Sequence, residues 1–142
     1  MMFDHLGVVV PDLAHGRAML SGALGIRRWT AEFDDPLNDV FVQFGQCKSG
    51  MCYEAIAPRS PASPVRNALK KHVNILNHVA YRVGGLACEA ARLEQSGFRA
   101  IGEARPAIAY DNHKIQFFMN ADMFMVELIE APAHRHSYVE QA

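Results

Sequence analysis

Two histidines and two glutamates recur at the same spacing in this sequence. Glu54 follows His5 by 49 residues, and Glu127 follows His78 by the same interval. Each of the four lies among apolar residues in a segment typical of a strand, where an ionisable group is costly unless it is paired or bound to a metal. Imidazoles and carboxylates together suit divalent ions such as Zn, Ni, Co, Mn or Fe(II). We therefore interpret the four as the ligands of one divalent metal ion.

The equal spacing belongs to an internal repeat with an offset of 73 residues. Three pairs of segments align at that offset, namely 3–10 with 76–83, 42–44 with 115–117, and 53–56 with 126–129. Similarity at a fixed offset indicates a duplicated structural unit. A lone histidine on a strand is more often a hydrogen-bonded structural residue than a ligand. The recurrence of both residue types in both copies favours the metal interpretation.

Each copy has the pattern of one strand, one helix and three further strands. The predicted strands cover 3–10, 27–33, 39–45 and 50–57 in the first copy and 75–83, 98–104, 108–118 and 123–130 in the second. Helices are predicted over 12–24 and 85–96, since Gly25 and Gly97 stand where a helix would end.

These elements predict a single α+β domain over residues 1–142. Module 1 covers 3–58, a linker helix falls within 59–72, and module 2 covers 73–131. The polar residues from Pro132 onward are expected to fray, as chain termini commonly do.

Composition excludes several classes of function. The 142 residues carry a net charge of −1 without a basic cluster, so we expect neither nucleic acid nor an anionic membrane as a partner. No apolar run reaches the roughly 18 residues of a membrane span, and we expect no signal peptide before the first strand. The three cysteines show no CxxC spacing, which favours reduced thiols in a cytoplasmic protein.

Four further residues are candidates for contact with a substrate. His113 and Lys114 lie in a polar loop of the second copy, where Lys114 would meet a phosphate or carboxylate; an exposed turn is the plain alternative. Arg82 interrupts an apolar strand, and it either lines a cavity mouth or faces solvent. Gln43 lies on the third strand of module 1. No role is assigned to the remaining histidines, which are His15, His72, His134 and His136.

The sequence resembles the vicinal oxygen chelate (glyoxalase) superfamily over residues 3–131. Within that superfamily it is most similar to the methylmalonyl-CoA epimerases. The motifs that carry the resemblance are Asp4-His5, Pro11-Asp12-Leu13, Ser63-Pro64-Val65, Asn77-His78-Val79-Ala80 and Val126-Glu127-Leu128. The resemblance implies two tandem βαβββ modules that form a cupped, eight-stranded mixed sheet around a metal ion.

The resemblance also implies a reaction. It indicates a divalent-metal-dependent isomerase or epimerase that acts beside a carbonyl through an enediolate. Glu127 would then be the base and Glu54 the second acid or base. The substrate would be an acyl-CoA or another thioester or carbonyl compound. A homodimer is allowed, because it would cover exposed sheet edges.

Three alternatives stay open at this stage. A lactoylglutathione lyase of the glyoxalase I type uses the same His, Glu, His, Glu set, and a non-catalytic protein could bind a small molecule on the same fold. A ring-cleaving dioxygenase is disfavoured, because the fourth ligand Glu54 leaves less room for oxygen and substrate. The chain departs from the epimerases at Val42 or Gln43, where some have a second catalytic glutamate, at Asn77, and in the loop 119–123.

Overall fold

The computed structural model describes residues 1–73 and 75–140. Its strands are β1 (Met2–Val9), β2 (Arg28–Trp29), β3 (Phe33–Asp35), β4 (Val40–Gln46), β5 (Cys52–Pro58), β6 (Leu76–Arg82), β7 (Arg99–Ala107), β8 (His113–Met119), β9 (Met125–Ile129) and β10 (Val139–Glu140). Its helices are α1 (Leu13–Leu24), α2 (Arg66–Lys71) and α3 (Leu86–Gln95). The fold is a mixed open sheet with few helices, as predicted.

The chain divides into two compact units. The first unit comprises His5–Asn77 and the tail from Arg135 onward. Its strands lie in the order β10-β2-β4-β5-β1, and β3 pairs with β4. Strand β1 runs parallel to β5, whereas β4 and β5 are antiparallel. Helix α1 begins at Asp12, whose carboxylate accepts the backbone N–H of His15, and ends at Gly25 in the left-handed conformation.

The core of the first unit lies between α1 and one face of the sheet. Its buried side chains are those of Val8, Val10, Leu13, Leu20, Ile26, Trp29, Ala55 and Ala57. The even-numbered residues of β1 and the odd-numbered residues of β5 supply this face, because side chains alternate along a strand. The opposite face carries His5, an odd-numbered residue of β1, and Glu54, an even-numbered residue of β5.

The second unit comprises Met1–Asp4 and His78–His134. Its strands from β6 onward lie in the order β6-β9-β8-β7. Strand β6 runs parallel to β9, while β8 is antiparallel to both β9 and β7. Helix α3 covers a core of Val83, Leu86, Leu93, Phe118, Val126 and Leu128. The pairing of β6 with β9 and of β9 with β8 therefore repeats that of β1 with β5 and of β5 with β4, as the sequence repeat predicts.

Two predicted strands differ from the structure. The strand expected over 27–33 is split into β2 and β3. Between them, the backbone N–H of Thr30 donates to the Phe44 carbonyl, and the Thr30 hydroxyl accepts the backbone N–H of Phe44. The strand expected over 108–118 begins with a short 3-10 turn, Ile108–Tyr110. Asp111 and Asn112 follow in the left-handed conformation, which these two residue types tolerate well.

The tail was expected to fray from Pro132 onward, and for residues 132–140 that prediction is wrong. Strand β10 pairs with β2, with Val139 opposite Trp29. Only Asn74 and the last two residues, 141–142, lie outside the described part of the chain. That residues 1–142 make one domain of two modules stays our proposal.

Within the described part of the chain, Cys47, Cys52 and Cys88 form no disulfide. A hydrogen bond with the hydroxyl of Ser49, at 3.0 Å, lowers the pKa of the Cys47 thiol below its ordinary value. No helix of the described residues is long and apolar enough to cross a membrane.

One close approach in the first unit gives a stability prediction. A Cβ atom at Gly45 would lie 2.8 Å from both Ile26 Cγ2 and Trp29 Cζ3, and both side chains are buried. We expect Gly45→Ala to lower the free energy of unfolding by about 1–3 kcal/mol, as overpacked cores do. Gly22→Ala is the matched control, because its Cβ would meet nothing within 4 Å on helix α1. There we expect a gain of about 0.5–1 kcal/mol.

Urea unfolding followed by circular dichroism measures both changes. Equal midpoints for the two variants would contradict the close approach at Gly45.

Candidate metal centre

The first unit brings His5 and Glu54 together. Gly7 on β1 lies opposite Glu54 on β5, and His5 shares the face of Gly7 because the two are separated by one residue. His5 Nε2 lies 3.0 Å from Glu54 Oε2, and both side chains are buried. The ring of Phe44 meets the imidazole edge to face, with centroids 5.3 Å apart.

The second unit brings His78 and Glu127 together in the same way. Ala80 on β6 lies opposite Glu127 on β9, and His78 shares the face of Ala80. His78 Nε2 lies 3.4 Å from Glu127 Oε2, and both side chains are buried. Phe117 meets the imidazole edge to face at 5.1 Å. Phe117 and Phe44 are also related by the offset of 73 residues, so the aromatic neighbour is repeated together with the pair.

The spacing within each pair fits two ligands of one ion. Bonds of about 2.0–2.2 Å place neighbouring ligand atoms about 2.9 Å apart in an octahedral site and about 3.3 Å apart in a tetrahedral site. The observed separations of 3.0 and 3.4 Å match these values. A separation of 3.4 Å is long for a hydrogen bond, which commonly measures about 2.7–3.2 Å. Each unit therefore contains a buried histidine–glutamate couple that could supply two ligands to a metal ion.

Gln43 lies on the other side of its sheet. Gln43 pairs with Ala55, whereas Phe44 pairs with Glu54. The side chains of Gln43 and Glu54 therefore lie on opposite faces of the sheet. Its amide nitrogen donates to the Thr30 carbonyl at 2.8 Å. For that reason our proposed function does not use Gln43 for substrate contact.

His113 and Lys114 point to different faces of β8. Phe117 pairs with Glu127, so His113 shares the glutamate's face and Lys114 has the opposite one. Both side chains are exposed, and His113 Nδ1 lies 2.7 Å from the Tyr110 carbonyl oxygen. His113 keeps its proposed place at the rim of the site, whereas Lys114 does not.

The side chain of Arg82 contacts one carboxylate and two backbone carbonyls of the protein. Its Nε lies 3.0 Å from Asp4 Oδ1, and one terminal nitrogen donates to the carbonyls of Pro132 and His134, each at 2.9 Å. Asp4 in turn accepts the Tyr110 hydroxyl at 2.5 Å. The interpretation of Arg82 as a cavity-mouth or solvent-facing residue does not fit these contacts, because its donors already anchor the tail.

The sequence interpretation missed the tail. His136 stacks on Phe44 with centroids 4.1 Å apart and planes at 25°, and His134 packs against Tyr110 at 4.7 Å. The Tyr138 hydroxyl donates to Cys52 Sγ at 3.1 Å. The available signal was the alternation of aromatic rings at positions 134, 136 and 138, which is typical of extended chain packed along one side.

Comparison with known proteins decides the family. A family model described as the Glyoxalase/Bleomycin resistance protein/Dioxygenase superfamily matches residues 4–117. The chain belongs to that superfamily. The resemblance inferred from the sequence motifs is thereby confirmed.

The similar proteins of this superfamily include several epimerases. The chain is 26% identical over 120 residues to an ethylmalonyl-CoA/methylmalonyl-CoA epimerase of Cereibacter sphaeroides, covering 84% of this chain and 88% of that protein. The crystal structure of the methylmalonyl-CoA epimerase from Mycobacterium tuberculosis is similar at a TM-score of 0.75 and 25% identity, covering 90% of this chain and 86% of that one.

A Streptomyces coelicolor methylmalonyl-CoA epimerase in complex with 2-nitronate-propionyl-CoA shares the fold. Its TM-score is 0.72 at 18% identity, and the match covers 91% of this chain and 96% of that one.

Proposed function

We propose that this superfamily member is a divalent-metal-dependent epimerase that inverts the carbon next to the carbonyl of an acyl-CoA thioester. The observation that carries the proposal is the pair of buried histidine–glutamate couples at repeat-related positions. The similarity to methylmalonyl-CoA epimerases supports the choice of substrate class.

Both couples are proposed to bind the same ion. His5 and His78 would each contribute a neutral imidazole nitrogen, and Glu54 and Glu127 would each contribute a carboxylate oxygen. This mixture suits Zn, Ni, Co, Mn or Fe(II) better than Ca or Mg, which prefer oxygen ligands alone. When bound, the ion would polarise the substrate carbonyl and make the neighbouring C–H more acidic.

The glutamates are proposed to move the proton. The deprotonated carboxylate of Glu127 takes the α-hydrogen from one side of the carbon. Glu54, protonated on the oxygen that does not bind the ion, gives its proton to the other side, so that Glu127 ends protonated and Glu54 ends as the carboxylate. Inversion requires a proton acceptor and a proton donor on the two faces of one carbon. The duplicated module provides one carboxylate for each role, without the additional glutamate that some epimerases have at the position of Val42 or Gln43.

Proton NMR in heavy water with added metal tests the proposal. We expect methylmalonyl-CoA to lose its α-proton signal, and we expect treatment of the protein with a chelator to slow that loss at least a hundredfold until a divalent ion is restored. The metal content of the purified protein, measured by mass spectrometry, should be one ion per chain.

Two other outcomes contradict this function. Conversion of a methylglyoxal–glutathione adduct into a thioester would identify a lyase of the glyoxalase I type. Binding of acyl-CoA without any exchange, in a protein that holds no stoichiometric metal, would identify a non-catalytic binding protein.

A further inference from the structure

A cleft of about 870 Å³ lies within the first unit, at the end where β1 and β5 finish and α2 begins. Its lining includes Pro11, which follows β1 by two residues, and Pro58, the last residue of β5. Small-molecule sites commonly measure roughly 300–1,000 Å³. The cleft is therefore large enough to hold a small organic ligand.

The polar residues that line the cleft recur at helical spacing. Arg66 and Lys70 are one turn of α2 apart, and Asn67 lies between them. Ser63 precedes Arg66 by three residues, and its carbonyl accepts the backbone N–H of Arg66 at 3.1 Å, which extends the helical turn backward. Residues three or four apart share one face of a helix. These four side chains therefore form one polar strip along the cleft.

The charge of this polar strip is unbalanced. Among the described residues, no carboxylate lines the cleft, and neither Arg66 nor Lys70 forms an ion pair. By contrast, Arg59 at the end of β5 pairs with Asp34 at 2.6 Å. Two cations one helical turn apart repel each other, so an anion bound between them would be stabilised by both.

Ser63 adds a buried hydroxyl to the two cations. The residue is 5% exposed, and its Oγ has no hydrogen-bond partner among the described residues. Its backbone is held on both sides, because its N–H donates to the Ser60 carbonyl and its own carbonyl accepts from Arg66. A buried hydroxyl without a partner destabilises the fold, and a ligand that accepts from Ser63 would recover that loss.

The rest of the lining is an apolar wall. It consists of Leu69 and four prolines, namely Pro11, Pro58, Pro61 and Pro64. Proline holds φ at about −65°, so this wall changes its shape little. The cleft combines a cationic strip with a stiff apolar wall, which suits a ligand that has both an anionic group and an organic part.

We propose that this cleft binds the phosphate group of an organic phosphate. Arg66 and Lys70 would contact the phosphate oxygens, Ser63 would donate its hydroxyl, and the apolar wall would contact the organic part. A phosphate monoester carries about −1.5 to −2 charges at neutral pH, which matches two cations. Arginine can bind it through two parallel N–H donors. Coenzyme A carries such a monoester at its nucleotide end, and its choice as the source of the phosphate rests on the proposed function.

Calorimetric titration of the full chain with three probes tests the site. Adenosine 3′,5′-bisphosphate represents the nucleotide end of coenzyme A, inorganic phosphate represents the anion alone, and adenosine represents the organic part alone. We expect the bisphosphate to bind about tenfold more tightly than inorganic phosphate, because it also contacts the apolar wall. Adenosine should show no detectable binding, and coenzyme A should displace the bisphosphate.

Lys70→Gln and Lys71→Gln are a matched pair of variants. Both remove one positive charge from α2, but Lys70 lines the cleft and Lys71 does not. We expect Lys70→Gln, and likewise Arg66→Gln, to weaken bisphosphate binding by about tenfold, and Lys71→Gln to change it by less than about twofold. Thermal unfolding of each variant checks that the fold is unchanged.

The contrary outcomes are distinguishable. Equal weakening by Lys70→Gln and Lys71→Gln would reduce the effect to the general positive charge of α2. Equal affinity for inorganic phosphate and the bisphosphate would rule out an organic ligand, and binding of neither would remove the site. Failure of coenzyme A to displace the bisphosphate would exclude it as the source of the phosphate.

The proposed function is tested separately from this site. Exchange of the α-proton of methylmalonyl-CoA without any phosphate binding would refute this inference alone. Phosphate binding at the cleft without exchange would refute the proposed function alone.

Discussion

Glu127→Gln should reduce the rate of α-proton exchange by about a hundredfold to ten-thousandfold, the usual contribution of a positioned general base. The side chain is almost fully buried beside His78, and glutamine preserves its volume. The change removes the negative charge, so the side chain can no longer accept the substrate proton. It also weakens one of the four proposed metal ligands.

The two effects can be separated by measuring the rate at saturating metal. A deficit that persists when the ion is fully bound assigns Glu127 to proton transfer, whereas recovery of the rate assigns it to metal binding alone. Glu54→Gln should behave alike, because it occupies the same position in the other copy.

Glu130→Gln is the matched control for this experiment. Glu130 lies three residues beyond Glu127, and its carboxylate accepts the backbone N–H of Leu86 at 2.7 Å. A glutamine carbonyl can accept the same bond, so we expect an exchange rate close to that of the unaltered protein. If Glu127→Gln retained a rate within threefold of this control, the proposed base would be wrong.

Arg82→Met should lower the free energy of unfolding by about 3–5 kcal/mol, which is typical when one partner of a buried ion pair is removed. The Arg82 side chain is 16% exposed and that of Asp4 is 3% exposed, so the remaining carboxylate would be held away from water without its cation. The variant also loses both hydrogen bonds to the tail carbonyls.

Arg92→Met provides the comparison on the surface. Arg92 pairs with Glu89 at 2.7 Å, but its side chain is 53% exposed, and exposed pairs contribute about 0–1 kcal/mol. Urea unfolding of the two variants should therefore give clearly different losses. Equal losses would show that burial of the Asp4–Arg82 pair has no energetic importance.

Amide hydrogen exchange adds a local measurement to this prediction. With Arg82→Met, we expect faster exchange at residues 134–138, because the tail has lost its attachment through Pro132 and His134. Unchanged protection there would mean that β10 and the ring contacts hold the tail without Arg82.

The repeat explains why much of the fold could be predicted. An offset of 73 residues transfers each assignment from one copy to the other, so a weak strand signal in one half is reinforced by the second half. Alternation along β1, β5, β6 and β9 then places each histidine on the face of its glutamate. The proximity of His5 to Glu54 and of His78 to Glu127 follows from these two rules.

The tail could not be predicted by the same reasoning. It follows the second copy and has no aligned segment in the first, where the chain continues into the linker and α2. Its course depends on Arg82, Phe44 and Cys52, which are distant in sequence. The contacts of Arg82 with Asp4 and the tail could not be predicted for the same reason, because alternation gives the face of a side chain but not its partner.

A two-residue strand at the end of the chain has a consequence for how a duplicated site treats its substrate. Duplication gives the two copies the same kinds of side chains. Two equivalent copies cannot by themselves distinguish one end of a ligand from the other. Among the described residues, β10 pairs with β2 of the first unit. His136 and Tyr138 contact Phe44 and Cys52 of the same unit. Residues 136–140 thereby make the first unit differ from its repeat-related counterpart.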